Sequence, residues 1–332
     1  MGKPTKGKVV TVRGEVDPAV LGGVLMHEHL YCSCRDWVEG PTPPDRVEMV
    51  MSYGVPNLRK LHDDGCHALV DCTPMPWRAW PDTYLKIAEA ADLHVILSTG
   101  FYREMEVGGY WVERPEQAIW PAVREKSIEE LAELCAREIT EGLHGTDVRA
   151  GIVKLGSSGA ELTAAETKAF RAGAAAQQAT GVAITTHCTA SGAHLSQLEL
   201  LTEAGADPAR LIIGHTQGHL VRETDSVREW MRRGATFLAT NLRMDGDWEF
   251  WTDFVAVVRR LFDEGLGGQI ALGLDWAFDT EQGPFLGCSF MPPPPFRYIF
   301  THTLPRFRKL GLEESQIEQM MVANTARVLP VA

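Results

Sequence analysis

The chain of 332 residues is 45% hydrophobic and 23% charged, a composition typical of folded globular proteins rather than of disordered, collagen-like or coiled-coil chains. Asp and Glu number 44 against 32 Lys and Arg, so the net charge is -12. Such a protein repels nucleic acids and anionic membranes on average, and no run of basic residues offsets this repulsion. We therefore expect neither a nucleic acid nor a membrane as a partner.

Targeting signals and cysteines indicate the compartment. The longest apolar stretches fall well short of the roughly 20 residues that span a bilayer, and no apolar signal segment follows the first charges. The seven cysteines are an odd number, and only Cys32 and Cys34 lie close together, with a spacing too short for a zinc knuckle. We expect a cytoplasmic protein with reduced thiols.

Short β-branched and apolar runs recur along the chain and predict eight strands. In chain order they cover residues 24–30, 67–73, 94–102, 150–155, 183–189, 211–215, 236–242 and 269–275. Segments of helical period lie between them, and two begin with capping boxes, at Ser127 to Glu130 and at Thr163 to Glu166. Further helices are predicted at 223–233 and 251–264. This alternation is typical of parallel βαβ units.

The predicted fold is α/β, a single (β/α)8 TIM barrel domain over residues 1–332. The stretch 8–14 is expected to form a short N-terminal antiparallel β ribbon that closes the bottom of the barrel. A doubly wound open sheet would share the alternation, but the first strand lacks the Gly-x-Gly-x-x-Gly turn of that fold. The barrel is therefore the favoured prediction, with a Pro-rich, stiff loop at 276–295 after the eighth strand.

Polar residues at the C-terminal ends of the predicted strands form the candidate site, because catalytic groups of such barrels lie at that face. The first strand contains His27-Glu28-His29. Residues two apart on a strand face the same side, so both imidazoles can point into the barrel mouth while Glu28 points away. Paired imidazoles on one face suit a divalent transition metal.

Four further residues complete the candidate site, and each is either a common metal ligand or a charged residue in an apolar strand. Lys154 interrupts an apolar strand, where an unpaired amine is costly. His187, His215 and Asp275 end the fifth, sixth and eighth predicted strands. Each alone fits a packed core residue, but together they predict a metal site. The remaining histidines are interpreted as structural, although His219 is near enough to the mouth to line the pocket.

These residues resemble the phosphotriesterase family of the amidohydrolase superfamily over nearly the whole chain. The resemblance is carried by His27-x-His29, Lys154, Thr186-His187, Gly214-His215, Asp275-Trp276 and the closing Asn324-Thr325-Ala326-Arg327. It implies two divalent metal ions per chain, usually Zn²⁺ with Co²⁺, Mn²⁺ or Fe²⁺ as alternatives. By position, His27, His29 and Asp275 would hold the more buried ion, His187 and His215 the more exposed one, and carboxylated Lys154 would bridge them.

The resemblance also implies the chemistry. A metal-bridging hydroxide would attack the substrate, and Asp275 would move the proton, so that Asp275 and Lys154 are the predicted catalytic residues. The expected substrate is a small-molecule lactone or related ester, with a promiscuous phosphotriesterase activity. Hydrolysis of a phosphate ester or an N-acyl amide at the same site is the alternative, and a non-catalytic small-molecule binding protein is a further one. The resemblance also points to a homodimer.

Substrate recognition is expected from the loops. Tyr102 looks like the tyrosine that lactonase members place beside the metals, and Trp276 is a second predicted substrate-binding residue. The chain departs from the lactonases after the seventh strand, where Arg243 is either a shifted counterpart of their arginine or faces solvent. Five aromatic residues of the loops around 103–127 and 276–295 either form a hydrophobic lid over the site or pack these loops onto the barrel or a dimer partner: Trp111, Trp120, Phe278, Phe285 and Phe290. No cluster of arginines is visible near the predicted mouth.

Overall fold

A computed structural model describes residues 2–32, 40–104, 121–187, 189–242, 248–279 and 296–332. The strands are β1 (Val9–Thr11), β2 (Gly14–Val16), β3 (Gly23–Cys32), β4 (Cys66–Asp71), β5 (His94–Gly100), β6 (Ile152–Gly156), β7 (Ala183–His187), β8 (Leu211–Ile213), β9 (Thr236–Ala239), β10 (Ile270–Leu272) and β11 (Trp276–Asp279). The α-helices are α1 (Pro44–Met49), α2 (Val55–Asp63), α3 (Pro81–Ala91), α4 (Pro121–Glu125), α5 (Ile128–Thr140), α6 (Ala164–Thr180), α7 (Ala193–Glu203), α8 (Gln217–Arg222), α9 (Thr224–Arg232), α10 (Trp248–Asp263), α11 (Leu304–Lys309), α12 (Glu314–Glu318) and α13 (Asn324–Val328). Among these helices, none is long and apolar enough to cross a membrane.

The strands β3 to β10 form a parallel barrel in which each strand pairs with the next one in sequence. Residues 273–275 interrupt the eighth strand, after which β11 continues it and pairs in parallel with β3. At the interruption, the Asp275 N–H donates a hydrogen bond to the His27 carbonyl at 2.8 Å. The last strand thus reaches the first, and the predicted (β/α)8 barrel is confirmed.

A two-stranded ribbon closes the bottom of the barrel. β1 and β2 pair in antiparallel fashion, and the Val12 N–H donates to the Val95 carbonyl of β5 at 2.9 Å. Four apolar residues from outside the barrel strands pack against the inward-facing side chains at this end of the barrel: Val9, Leu21, Val328 and Leu329. The predicted N-terminal ribbon is therefore present, and apolar side chains seal the end of the barrel opposite the strand ends that carry the histidines.

Two hydrophobic layers surround the strands, because successive side chains of a strand face opposite sides. The interior layer is small and includes Val24, Met26, Ala68, Val70, Ile96, Ile152, Ala183, Ile212, Leu238 and Ala271. The outer layer lies between the barrel and its helices and is much larger. Strands covered on both faces in this way explain the continuous apolar runs of the sequence.

All eight predicted barrel strands are present, but several predictions extend too far at their C-terminal ends. β8, β9 and β10 end two or three residues before His215, Asn241 and Asp275. These residues have φ angles of 59°, 52° and 54°, in the left-handed region that a strand cannot contain. The helix starts were predicted better, since both capping boxes form, at Ser127 for α5 and at Thr163 for α6.

Candidate metal centre

A β-bulge in β3 directs both predicted histidines into the barrel. Leu25 pairs with Leu69 and Glu28 with Asp71, so β3 advances three residues where β4 advances two. Met26 belongs to the interior layer, and the imidazole of His27, the next residue, also faces the interior. The extra residue reverses the alternation, so side chains 24 and 26 face inward below the bulge and 27 and 29 above it.

Lys154 lies at the centre of the site on β6 and is fully buried. Its Nζ is 3.3 Å from His27 Nε2, and no carboxylate of the described residues forms an ion pair with it. Burial lowers the pKa of the Lys154 ammonium, because the charged form loses its hydration. The strand therefore presents an amine whose neutral form is favoured.

Asp275 is the point at which the histidines converge. Its Oδ1 lies 3.2 Å from His29 Nε2 and 3.5 Å from His27 Nε2, and its Oδ2 lies 3.9 Å from His215 Nε2. Burial opposes ionisation of this carboxyl, but the neighbouring imidazoles, above all His215, outweigh it and lower the pKa of Asp275 well below its usual value. One ligand atom each from His27, His29 and Asp275 lies within 4.8 Å of the others, a spacing that a metal ion can bridge.

Hydroxyl groups orient two of the imidazoles. Thr73 Oγ1 lies 2.9 Å from His29 Nδ1, and Thr240 Oγ1 lies 3.1 Å from His215 Nδ1. Each contact leaves the Nε2 atom directed at Asp275. Such a partner on the outer ring nitrogen is typical of metal-binding histidines, because it fixes the ring and its tautomer.

Two buried carboxylates position the backbone around the site. Glu28 accepts hydrogen bonds from the N–H groups of Leu274 at 2.7 Å and Trp276 at 3.0 Å, the residues on either side of Asp275. Asp71 accepts hydrogen bonds from Leu30 N–H at 2.6 Å and from the backbone of Thr73. Glu28 does face away from the mouth, as predicted, but it also fixes the segment that carries Asp275.

Unpartnered nitrogens test whether these residues fit a metal. His187 Nε2 and His215 Nε2 are buried and have no hydrogen-bond partner. Burial lowers the pKa of His215 to about 4 and that of His27 and His187 well below the usual value. Neutral imidazoles with free lone pairs are the form that binds a divalent metal, so the donor set fits one.

Tyr102 and Arg103 border the centre on the side of His187. The Tyr102 ring centre lies 5.3 Å from the His187 ring in an edge-to-face arrangement, and the Arg103 guanidinium carbon lies 5.6 Å from the Tyr102 ring centre. A Cβ atom at Gly156 would lie 3.1 Å from Arg103 N and 3.5 Å from His187 Cβ. The absence of a side chain at Gly156 therefore lets these residues meet at the end of β6.

The structure does not bring every predicted residue to the site. Trp276 is buried in the outer layer, where its ring lies 5.7 Å from that of Phe296. His219 donates a hydrogen bond from Nε2 to the Ala190 carbonyl at 3.0 Å. The side chains of the other predicted recognition or lid residues are not among those that the structure describes. These residues are Trp111, Trp120, Arg243, Phe278, Phe285 and Phe290.

Sequence reasoning missed residues that support the site. Asn241 donates a hydrogen bond from Nδ2 to Asp275 Oδ2 at 3.1 Å, and Arg103 is buried beside Tyr102. A basic residue in a loop is common, so the sequence gave no signal for Arg103. The strand-end position of Asn241, matching those of His215 and Asp275, was the available clue.

The barrel, the residue types at its strand ends and their order agree with a known family. A model of the phosphotriesterase (PTE) family matches residues 7–329. The chain belongs to the phosphotriesterase family. Enzymes of this family are binuclear metal-dependent hydrolases, so the chain is a metal-dependent hydrolase and the cluster at His27, His29 and Asp275 is a candidate metal site.

Similar proteins of this family cover almost the whole chain. The phosphotriesterase homology protein of Mycobacterium tuberculosis is 25% identical over 322 residues, 96% of each chain. The N-acetyltaurine hydrolase of Homo sapiens is 24% identical over an alignment of 355 positions, which again covers 96% of each chain. A solved PTE-like lactonase mutant of Deinococcus radiodurans has a TM-score of 0.78 and 30% identity, covering 97% of this chain and 99% of that one.

Proposed function

We propose that this phosphotriesterase-family enzyme hydrolyses a lactone or related ester, using two divalent metal ions, Zn²⁺ in the first instance. The observation that carries the proposal is the convergence of His27, His29 and Asp275 next to the buried amine of Lys154. In this proposal His27, His29 and Asp275 hold one ion, and His187 and His215 hold the other.

In this proposal Lys154 would be carboxylated on its side-chain nitrogen and would serve as a ligand of both ions. Burial lowers the pKa of its amine, and the neutral amine is the form that reacts with carbon dioxide. Carboxylation would replace a costly buried cation with an anion that offsets the charge of two dications. The absence of an ion-paired carboxylate at Lys154 among the described residues supports this assignment.

Two divalent ions bound there would lower the pKa of a metal-bound water, so that hydroxide is available near neutral pH, and would polarise the substrate carbonyl. Asp275 would accept the proton of the attacking hydroxide and deliver it to the leaving oxygen. The hydrogen bond from Asn241 and the contact with His29 hold the Asp275 carboxylate in place. No serine or cysteine nucleophile is needed.

Tyr102 supports the preference for a lactone. Its ring is 3% exposed and packs edge-to-face against His187, a proposed ligand of the more exposed ion. A planar ester carbonyl bound at that ion would lie beside this ring. N-acyl amide hydrolysis is the second candidate, favoured by the similarity to the human N-acetyltaurine hydrolase.

A substrate panel tests the proposal. Protein reloaded with Zn²⁺, Co²⁺ or Mn²⁺ after chelation would be assayed on acyl-homoserine and aliphatic lactones, aryl phosphotriesters, phosphomonoesters and N-acyl amino acids. We expect lactones to have the highest kcat/KM, no activity after chelation, and none in the isosteric Asp275→Asn variant. Faster turnover of amides or phosphotriesters would reject the lactone preference, and metal-independent turnover would reject the mechanism.

A further inference from the structure

Arg103 is a buried cation beside the candidate metal centre. The residue is only 6% exposed, and its Nε has no hydrogen-bond partner. No carboxylate within the described ranges forms an ion pair with its guanidinium. Its one described side-chain contact is with the neutral Tyr102 ring. Because arginines are almost never buried without a partner for their charge, this placement indicates an anionic partner that the described side chains do not supply.

Glu104, the acidic residue next to Arg103 in sequence, is already paired with another arginine. The Glu104 carboxylate forms an ion pair with Arg124 at 2.6 Å. The Glu104 N–H donates to Glu166 at 2.9 Å, and the Phe101 N–H donates to the Lys154 carbonyl at 2.8 Å. The backbone on both sides of Arg103 is therefore fixed, and no acidic side chain of the described residues lies within ion-pair distance of its guanidinium.

Arg103 lies close to the histidines of the candidate metal centre. Its guanidinium carbon lies 5.6 Å from the Tyr102 ring centre, which lies 5.3 Å from the His187 ring centre. A substrate bound at the His187 side of the centre would therefore lie within a few atoms of the guanidinium. The net charge of -12 repels anions generally, so an anion would depend on this local cation.

We propose that Arg103 binds an oxyanion of the substrate, a carboxylate or a sulfonate, a few atoms from the scissile carbonyl. A guanidinium suits this role because its planar N–H groups can form paired hydrogen bonds with such a group. The inference rests on the proposed function and narrows its substrate class to anionic esters, lactones or amides.

Two chromogenic esters that differ by one charge provide the test: mono(4-nitrophenyl) glutarate and its neutral methyl ester. Arg103→Gln should lower kcat/KM for the anionic ester about 10- to 100-fold, the effect of losing hydrogen bonds to a charged group, and change the neutral ester less than about 3-fold. Arg103→Lys should lose less, because it keeps the charge. Arg171→Gln, which also removes one positive charge but lies exposed on α6, is the matched control and should change neither rate.

Binding provides a readout that does not depend on turnover. Calorimetric titration of the metal-loaded protein with glutarate and with propanesulfonate should show binding that Arg103→Gln abolishes, and the two titrations distinguish carboxylate from sulfonate. Equal effects of Arg103→Gln on both esters, loss of bound metal in that variant, or unchanged glutarate binding would overturn the inference. If neither ester is hydrolysed but glutarate binding still depends on Arg103, the proposed function is wrong and the assignment of Arg103 as an anion-binding residue stands.

Discussion

Replacing Asn241 tests how the carboxylate of Asp275 is held. Asn241 Nδ2 donates to Asp275 Oδ2 at 3.1 Å, and its own φ angle is 52°. Asn241→Ala removes a hydrogen bond to a charged group, worth about 1.5 to 3 kcal/mol. If that energy serves to position Asp275 in the transition state, kcat/KM should fall roughly 10- to 100-fold.

Asn241→Gly is the matched control, because it loses the same hydrogen bond but tolerates the left-handed backbone. Urea unfolding should place Asn241→Ala below Asn241→Gly by about 1 kcal/mol, since a side chain at positive φ is strained. The two variants should nevertheless have the same kcat/KM. Wild-type kcat/KM and full metal content in both would refute a positioning role for Asn241.

Three further predictions concern other residues. Lys154→Ala should lose metal and activity and be partly rescued by a short carboxylic acid, whereas full metal content by elemental analysis would place the bridge elsewhere. Tyr102→Phe should lower lactone turnover more than phosphotriester turnover, and equal losses would leave only a packing role. Burial lowers the pKa of His194 to about 4, below its unfolded value near 6.5, so the unfolded chain binds the proton first and stability should fall as pH decreases from 6.5 to 4. His194→Gln should flatten that part of the urea-unfolding pH profile, and an unchanged profile would contradict the assignment.

The sequence predicted the barrel well because its strands are continuous apolar runs bounded by helices with clear capping signals. The polar positions at strand ends followed from the same pattern, since His187, His215 and Asp275 each interrupt or end an apolar run. In such a fold, residues far apart in sequence meet at one face. The candidate ligands could therefore be predicted from the order of the strands and the residue types at their ends.

Other features depend on pairing that a single sequence does not reveal. Glu28 accepts hydrogen bonds from residues 246 and 248 positions away, which requires the barrel to be closed. Arg103 has an ordinary loop context in the sequence, and only its burial makes it unusual.

Because of its bulge, β3 can lose one residue and still direct the side chains of His27 and His29 into the barrel. Without Met26, Leu25 would still face outward and His27 would follow it facing inward, so the ligands would keep their orientation. A one-residue deletion at Met26 would therefore shorten the strand without exchanging its two faces. Elsewhere in a regular strand the same deletion would turn every later side chain to the opposite side.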